Sequence, residues 1–152
     1  PLYIYGEGNF LQQAKQLVDE YNLHDKVFFK GLLSPAELRQ VTAKALIGLN
    51  LVENDGLSYY LSLSNRFFDY LQAGTAQICM NYPAYHQLNE TYKVAIELED
   101  VAKANIAKQI NGLIKDTELR KELEGNCKKA ATVLNWQNEE KILINFYQNL
   151  FG

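Results

Sequence analysis

From Leu2 to Ile96, short apolar runs alternate with segments whose apolar residues recur at helical spacing. Few folds accommodate that alternation. Leu2 to Tyr5 reads as a strand stopped by Gly6-Glu7-Gly8, and Leu11, Ala14, Leu17, Val18 and Tyr21 then follow one helical stripe. Val27 to Phe29 reads as a second strand. Ser34-Pro35-Ala36-Glu37 is a capping box with proline at the first helical position, so a helix is expected from there to about Ala43. Ala45 to Leu51 is a mainly apolar stretch, as a parallel strand buried on both faces would be. A polar, tyrosine-rich loop, Glu53 to Leu63, leads to a helix from about Ser64 to Ala73, stopped by Gly74. Ala76 to Met80 and Val94 to Ile96 complete the strands.

After Asp100 the pattern is helical only. Val101, Ile106, Ile110, Leu113 and Ile114 form one stripe, and Leu119, Leu123, Cys127 and Ala130 a second. Trp136, Ile142, Phe146 and Leu150 form a third. The expected fold is therefore α/β: a Rossmann-like, doubly wound parallel sheet of about five strands, with helices on both faces and a helical C-terminal end. Ligands of such sheets bind outside the carboxyl ends of the strands. That places candidate ligand loops at Gly6 to Asn9, Lys30 to Ser34, Val52 to Ser64 and Asn81 to His86.

Composition removes other classes. With 47% hydrophobic and 22% charged residues, the chain of 152 residues is neither disordered nor low-complexity. No apolar run approaches the ~20 residues of a membrane span, and no signal-peptide pattern is present. The net charge is −3 and no basic block exceeds Lys128-Lys129, so no nucleic-acid face is expected. Cys79 and Cys127 lie apart on apolar patterns and are expected as buried, reduced thiols. The chain begins at Pro1 and its one methionine is Met80, so a piece of a longer protein is expected.

Motifs for metal, triad or dinucleotide chemistry are missing. His24 and His86 have no ligand-spaced partner. Gly6-Glu7-Gly8 has Leu11 where a dinucleotide fingerprint needs glycine or alanine, which leaves a tight turn with or without a ligand. The most informative stretch is the loop from Asp55 and the helix start at Ser64, Asn65 and Arg66. Free N–H groups, the helix dipole and a fixed cation favour an anion there. Asp69, one turn on, suits a ribose diol; the plainer alternative is a capped helix with an Arg66–Asp69 surface ion pair.

Several segments together resemble a known family. Leu2-Tyr3-Ile4-Tyr5-Gly6-Glu7-Gly8 resembles "L-x-I-x-G-x-G", and Asp25 to Gly31 resembles "D-x-V-x-F-x-G". Asn65 to Gly74 resembles "P-N-K-x-F-E-Y-x-x-x-G", and Trp136 matches a tryptophan opening the closing helix. The chain is thereby similar to the C-terminal, donor-binding domain of GT-B glycosyltransferases, nearest the retaining family four. The resemblance implies that residues 1–152 bind a nucleotide-sugar donor, a UDP- or GDP-sugar, as half of a two-domain hexosyl-type transferase. Such an enzyme transfers the sugar to a glycan or lipid-linked acceptor, without cofactor or metal.

It further implies diphosphate contacts from Gly6, Gly8, Ser64, Asn65 and Arg66, and a ribose contact from Asp69. The nucleobase would lie on Gly31, Leu32 and Leu33, and the donor sugar on Asp55, Gly56, Leu57 and Ser58. No catalytic residue is assigned. Ser64, Arg66 and Asp69 stand for the motif's proline, lysine and glutamate, and Leu61 stands where many members carry a further glutamate. An N-terminal acceptor-binding domain, a cytoplasmic location and peripheral association with the inner membrane face are the accompanying expectations. So is the exposure of Tyr59, Tyr60 and Tyr85 toward an interdomain cleft. Two alternatives stand beside this one: half of a nucleotide-sugar 2-epimerase, and a non-enzymatic nucleotide-binding or receiver-like domain.

Overall fold

A computed structural model describes residues 1–151, which divide into two units, residues 1–39 and residues 40 onward. In the first unit, β1 (Leu2–Tyr5) and β2 (Val27–Gly31) pair in parallel, with Tyr3 opposite Phe28 and Ile4 opposite Phe29. Helix α1 (Leu11–Glu20) connects them and buries Val18. Helix α2 (Pro35–Thr42) begins with the expected capping box: Ser34 donates its hydroxyl and its N–H to the Glu37 carboxylate, at 2.6 and 2.9 Å. These bonds hold the Glu37 carboxyl below its ordinary pKa.

The second unit is built on β3 (Gly48–Asn50), β4 (Gln77–Met80) and β5 (Ala95–Leu98), parallel and in that spatial order. Within each sheet the strands are parallel, as expected, but they hydrogen-bond as a sheet of two and a sheet of three rather than as one sheet. Strand β4 is the central one and is buried at every position, which accounts for its unbroken apolar run apart from Gln77. The Gln77 side chain donates to the Phe67 carbonyl at 3.2 Å. The third strand is shorter than its apolar stretch, because Leu46 and Ile47 precede it without pairing.

Helix α4 (Asn65–Ala73) returns the chain from β3 to β4. Ser64 caps it by accepting the Phe67 N–H, and Gly74 closes it in the left-handed conformation at φ 69°. Phe67 and Leu71 on its inner face are fully buried beside Ile78, Val94, Leu113 and Cys127. Leu113 and Cys127 come from α6 (Lys103–Lys115) and α7 (Thr117–Ala131). The Cys127 thiol lies 3.4 Å from the Val94 carbonyl and 3.6 Å from that of Thr75, so α7 is seated on the strand starts.

Three elements depart from the sequence expectation. A short helix, α3 (Leu57–Leu61), lies within the tyrosine-rich loop, so Leu57 and Ser58 are helical rather than loop residues. Helix α5 (Pro83–Tyr92) crosses from β4 to β5 and carries His86, which is therefore on a helix and not on a strand-end loop. The closing helix α8 (Trp136–Phe151) forms as expected and opens at Trp136, but none of its residues is buried and its apolar stripe stays exposed.

Candidate functional site

The start of α4 is held by a network that sequence reasoning did not find. Ser64 donates its hydroxyl to Asn50 Oδ1 at 2.9 Å, and its N–H to the Tyr85 hydroxyl at 2.9 Å. The same hydroxyl accepts the Phe67 N–H at 3.3 Å. Asn50 ends β3 and Tyr85 sits on α5, so the N-cap is tied to a strand and to a neighbouring helix. Asn50 is wholly buried and its Nδ2 has no partner among the described residues.

Beyond the cap, the backbone N–H groups of Asn65 and Arg66 have no partner among the described residues. Both side chains are exposed, as is Asp69 one turn further on. The Arg66 guanidinium makes no ion pair or hydrogen bond there, so the expected alternative of an Arg66–Asp69 pair does not form. The face thus presents two free amides, an uncommitted cation and a carboxylate in succession. That arrangement suits an anion at the helix start and hydroxyls beyond it. Ser64 belongs to the cap: its N–H and hydroxyl proton are both given to partners within the unit.

In the same unit, the segments after the three strands line an open cleft of about 390 Å³. Glu53 and Asn54 reach it from the segment after β3, and Tyr60 from α3. Asn81 and Tyr82 come from the end of β4, with Glu99 and Asp100 from the end of β5. Asn81 donates to Glu99 at 2.7 Å, while Asp100 accepts the Ala102 N–H and the Asn105 amide, both at 2.8 Å. Those two bonds keep the Asp100 carboxyl below its ordinary pKa. Burial, with Asp55 and Glu53 next in effect, pushes the Tyr82 hydroxyl up, so it stays protonated.

The first unit carries the other expected residues. The Gly6 N–H donates to the Gly31 carbonyl at 2.7 Å, so the turns after β1 and β2 are joined; Gly8 accepts from Leu11 at 3.1 Å. Gly8 and Leu32 are exposed, while Gly31 and Leu33 are half-buried. In the second unit, Asp55, Gly56, Leu57 and Ser58 are all exposed. Of the three tyrosines expected on an exposed face, Tyr59 is exposed, Tyr60 half-buried, and Tyr85 buried at 2% exposure. Its hydroxyl is needed by Ser64, and its ring packs on Phe67 with centroids 5.2 Å apart. Among the described residues no group of three or more His, Cys, Asp or Glu side chains is placed to hold a metal ion.

A parallel α/β unit with an anion-favouring helix start and a cleft at its strand ends is Rossmann-like in layout. The sequence model of the family described as glycosyl transferase-like matches residues 1–141, and the chain belongs to that family. Solved structures share the fold. Sucrose-phosphate synthase of Thermosynechococcus elongatus aligns with a TM-score of 0.81 at 20% identity, over 99% of this chain and 38% of that one. HepE of Anabaena, in complex with UDP-glucose, aligns at 0.73 and 15% identity over 92% of this chain and 40% of that one. WaaG, a glycosyltransferase involved in lipopolysaccharide biosynthesis, aligns at 0.72 and 12% identity over 93% and 36%. The chain therefore spans well under half the length of these structures. No curated protein sequence matches it at a significant level.

Proposed function

We propose that the chain is the donor-binding part of a glycosyltransferase that takes its sugar from a nucleotide diphosphate. The observation that carries this reading is the exposed α4 face, where two free N–H groups and the uncommitted Arg66 precede Asp69 by one turn. Developing charge on a leaving diphosphate is stabilised by fixed donors and a permanent cation. Asp69 accepts the ribose hydroxyls. The exposed segment Asp55 to Ser58, whose neighbours Glu53 and Asn54 line the cleft, meets the donor sugar. For the first unit, the proposal gives Gly6 and Gly8 to the diphosphate, and Gly31, Leu32 and Leu33 to the base.

The family match supports this reading, as do the similar structures that contain UDP and UDP-glucose. A uridine nucleotide is therefore the first donor to test, with a guanosine nucleotide second. A glycan or lipid-linked acceptor, an acceptor-binding partner domain, a hexosyl donor and work at the cytoplasmic face of a membrane complete the proposal. No helix among the described residues is long and apolar enough to cross a membrane.

The test is calorimetric titration of the intact protein with uridine and guanosine diphosphates. One charge-assisted contact is worth about 1.5–3 kcal/mol, so Arg66→Ala is expected to weaken binding about ten- to a hundredfold. Asp69→Asn is expected to weaken it less, since an amide oxygen still accepts one hydroxyl bond. Unchanged affinity in Arg66→Ala would remove α4 from the site.

A further inference from the structure

The chain between β3 and α4 is pinned at its two ends by two tyrosines of one neighbouring helix. Tyr82, the residue before α5, donates its hydroxyl to the Val52 carbonyl at 2.7 Å. Tyr85, at the third position of α5, accepts the Ser64 N–H at 2.9 Å. Val52 is where the segment leaves β3, and Ser64 is where it enters α4. Between these points every residue from Glu53 to Tyr59 is exposed, and none of their side chains makes a hydrogen bond among the described residues. Packing within the segment comes from Tyr60, whose ring lies 5.3 Å from that of Tyr82, and from Leu63.

A segment with so few contacts of its own takes its position from its ends. The ends are well mounted. Tyr82 and Tyr85 are 6% and 2% exposed, their ring centroids are 6.4 Å apart, and Tyr85 also packs on Phe67. Phenylalanine would satisfy all of those ring contacts. What tyrosine adds at both positions is a hydroxyl, and a buried hydroxyl is paired with a definite partner. Both partners here are backbone groups of the same segment, so the pins hold the loop's path whatever side chains it carries.

We propose that Tyr82 and Tyr85 are positioning residues for the nucleotide-sugar site. Mounted together on the start of α5, their hydroxyls fix the Asp55–Ser58 stretch and the Asn65–Arg66 helix start in one geometry. This rests on the donor-binding reading above. Tyr85 has a second effect. By engaging the Ser64 N–H, it leaves Asn65 and Arg66 as the amides open to an anion, and so sets where along the helix start a diphosphate sits.

The experiment compares Tyr82→Phe, Tyr85→Phe, the double variant and Arg66→Ala in the intact protein, titrated with uridine diphosphate well below the unfolding midpoint. Loss of one neutral hydrogen bond that orders a site is expected to weaken binding about three- to tenfold. Amide shifts and faster motion over residues 53–63, read by NMR without nucleotide, should accompany it. A merely structural role would lower the unfolding midpoint and leave affinity and loop motion unchanged; that result would overturn the proposal. So would wild-type affinity in both single variants alongside weakened binding in Arg66→Ala. Wild-type affinity in Arg66→Ala instead would show that the donor-site reading itself had failed. Should one tyrosine variant fold poorly, the other decides the question by the same two readouts.

Discussion

Gly48 shows how a single residue sets the packing under the site. A Cβ at this position would stand 2.5 Å from ring carbons of Tyr70, closer than real Cβ atoms come. Tyr70 is on α4, and its hydroxyl reaches the Leu49 carbonyl at 3.4 Å, so the ring has little freedom to retreat. Its burial also pushes that hydroxyl's pKa up, with Arg66 opposing. Gly48→Ala is expected to cost about 1–3 kcal/mol of stability through forced displacement of the ring. Urea unfolding measures this, and an unchanged midpoint would mean that α4 shifts freely on β3. The sequence contains the glycine and the tyrosine, 22 positions apart, but nothing in it announces that they touch. The same holds for Tyr85. Its place after a strand suggested an exposed loop, whereas the fold turns it inward to serve Ser64.

At the scale of elements, the alternation of strand and helix was readable wherever the apolar period was strong or a cap was explicit. Helix α4 has serine before it and glycine after it, and it formed between them. Helix α5 was missed because its sequence, Pro83 to Tyr92, is polar and only weakly amphipathic, with Tyr85 its one buried residue. It is held by partners distant in sequence. Glu97 on β5 meets His86 Nδ1 at 3.0 Å, and within α5 itself Glu90 lies 3.6 Å from Nε2. The hydrogen bond to Glu97, then its charge, raises the His86 pKa above its usual value, and Glu90 and Glu99 add to this. A raised pKa means that the stabilisation is fully present below the unfolded value, about 6.5, and is lost as pH rises through the folded one. The loss of stability in His86→Gln should therefore be larger at about pH 5.5 than at about pH 9. Unfolding midpoints at the two pH values check this, and equal differences would argue that the pair contributes nothing. Helix α8 is the opposite case: its period is strong, yet its stripe is covered by nothing in the structure.

For the molecule as a whole, both cysteines belong to the second unit's core, and burial pushes each thiol up to about 12. A thiolate is the reactive form, so at about pH 8 the folded protein should react with a disulfide reagent only as fast as the core opens. Labelling rates that rise in step with urea unfolding would confirm it; labelling of the native protein at the rate of a free thiol would contradict it. Local sequence alone was enough for the strand–helix alternation, the capped starts of α2 and α4, the three closing helices, the buried thiols and the motif-bearing stretch from Asn65 to Gly74. Each of these depends on periodicity or on groups within a few residues of one another. Tertiary structure decided how the strands share hydrogen bonds, that α5 exists, that Asn50 and Tyr85 hold Ser64, and that Arg66 stands clear of Asp69. These depend on strand edges that meet across the fold, on the Ser64 partners 14 and 21 positions away, or on side-chain geometry that spacing leaves open. The free energy of such pairings belongs to the packed state and has no counterpart in the local chain.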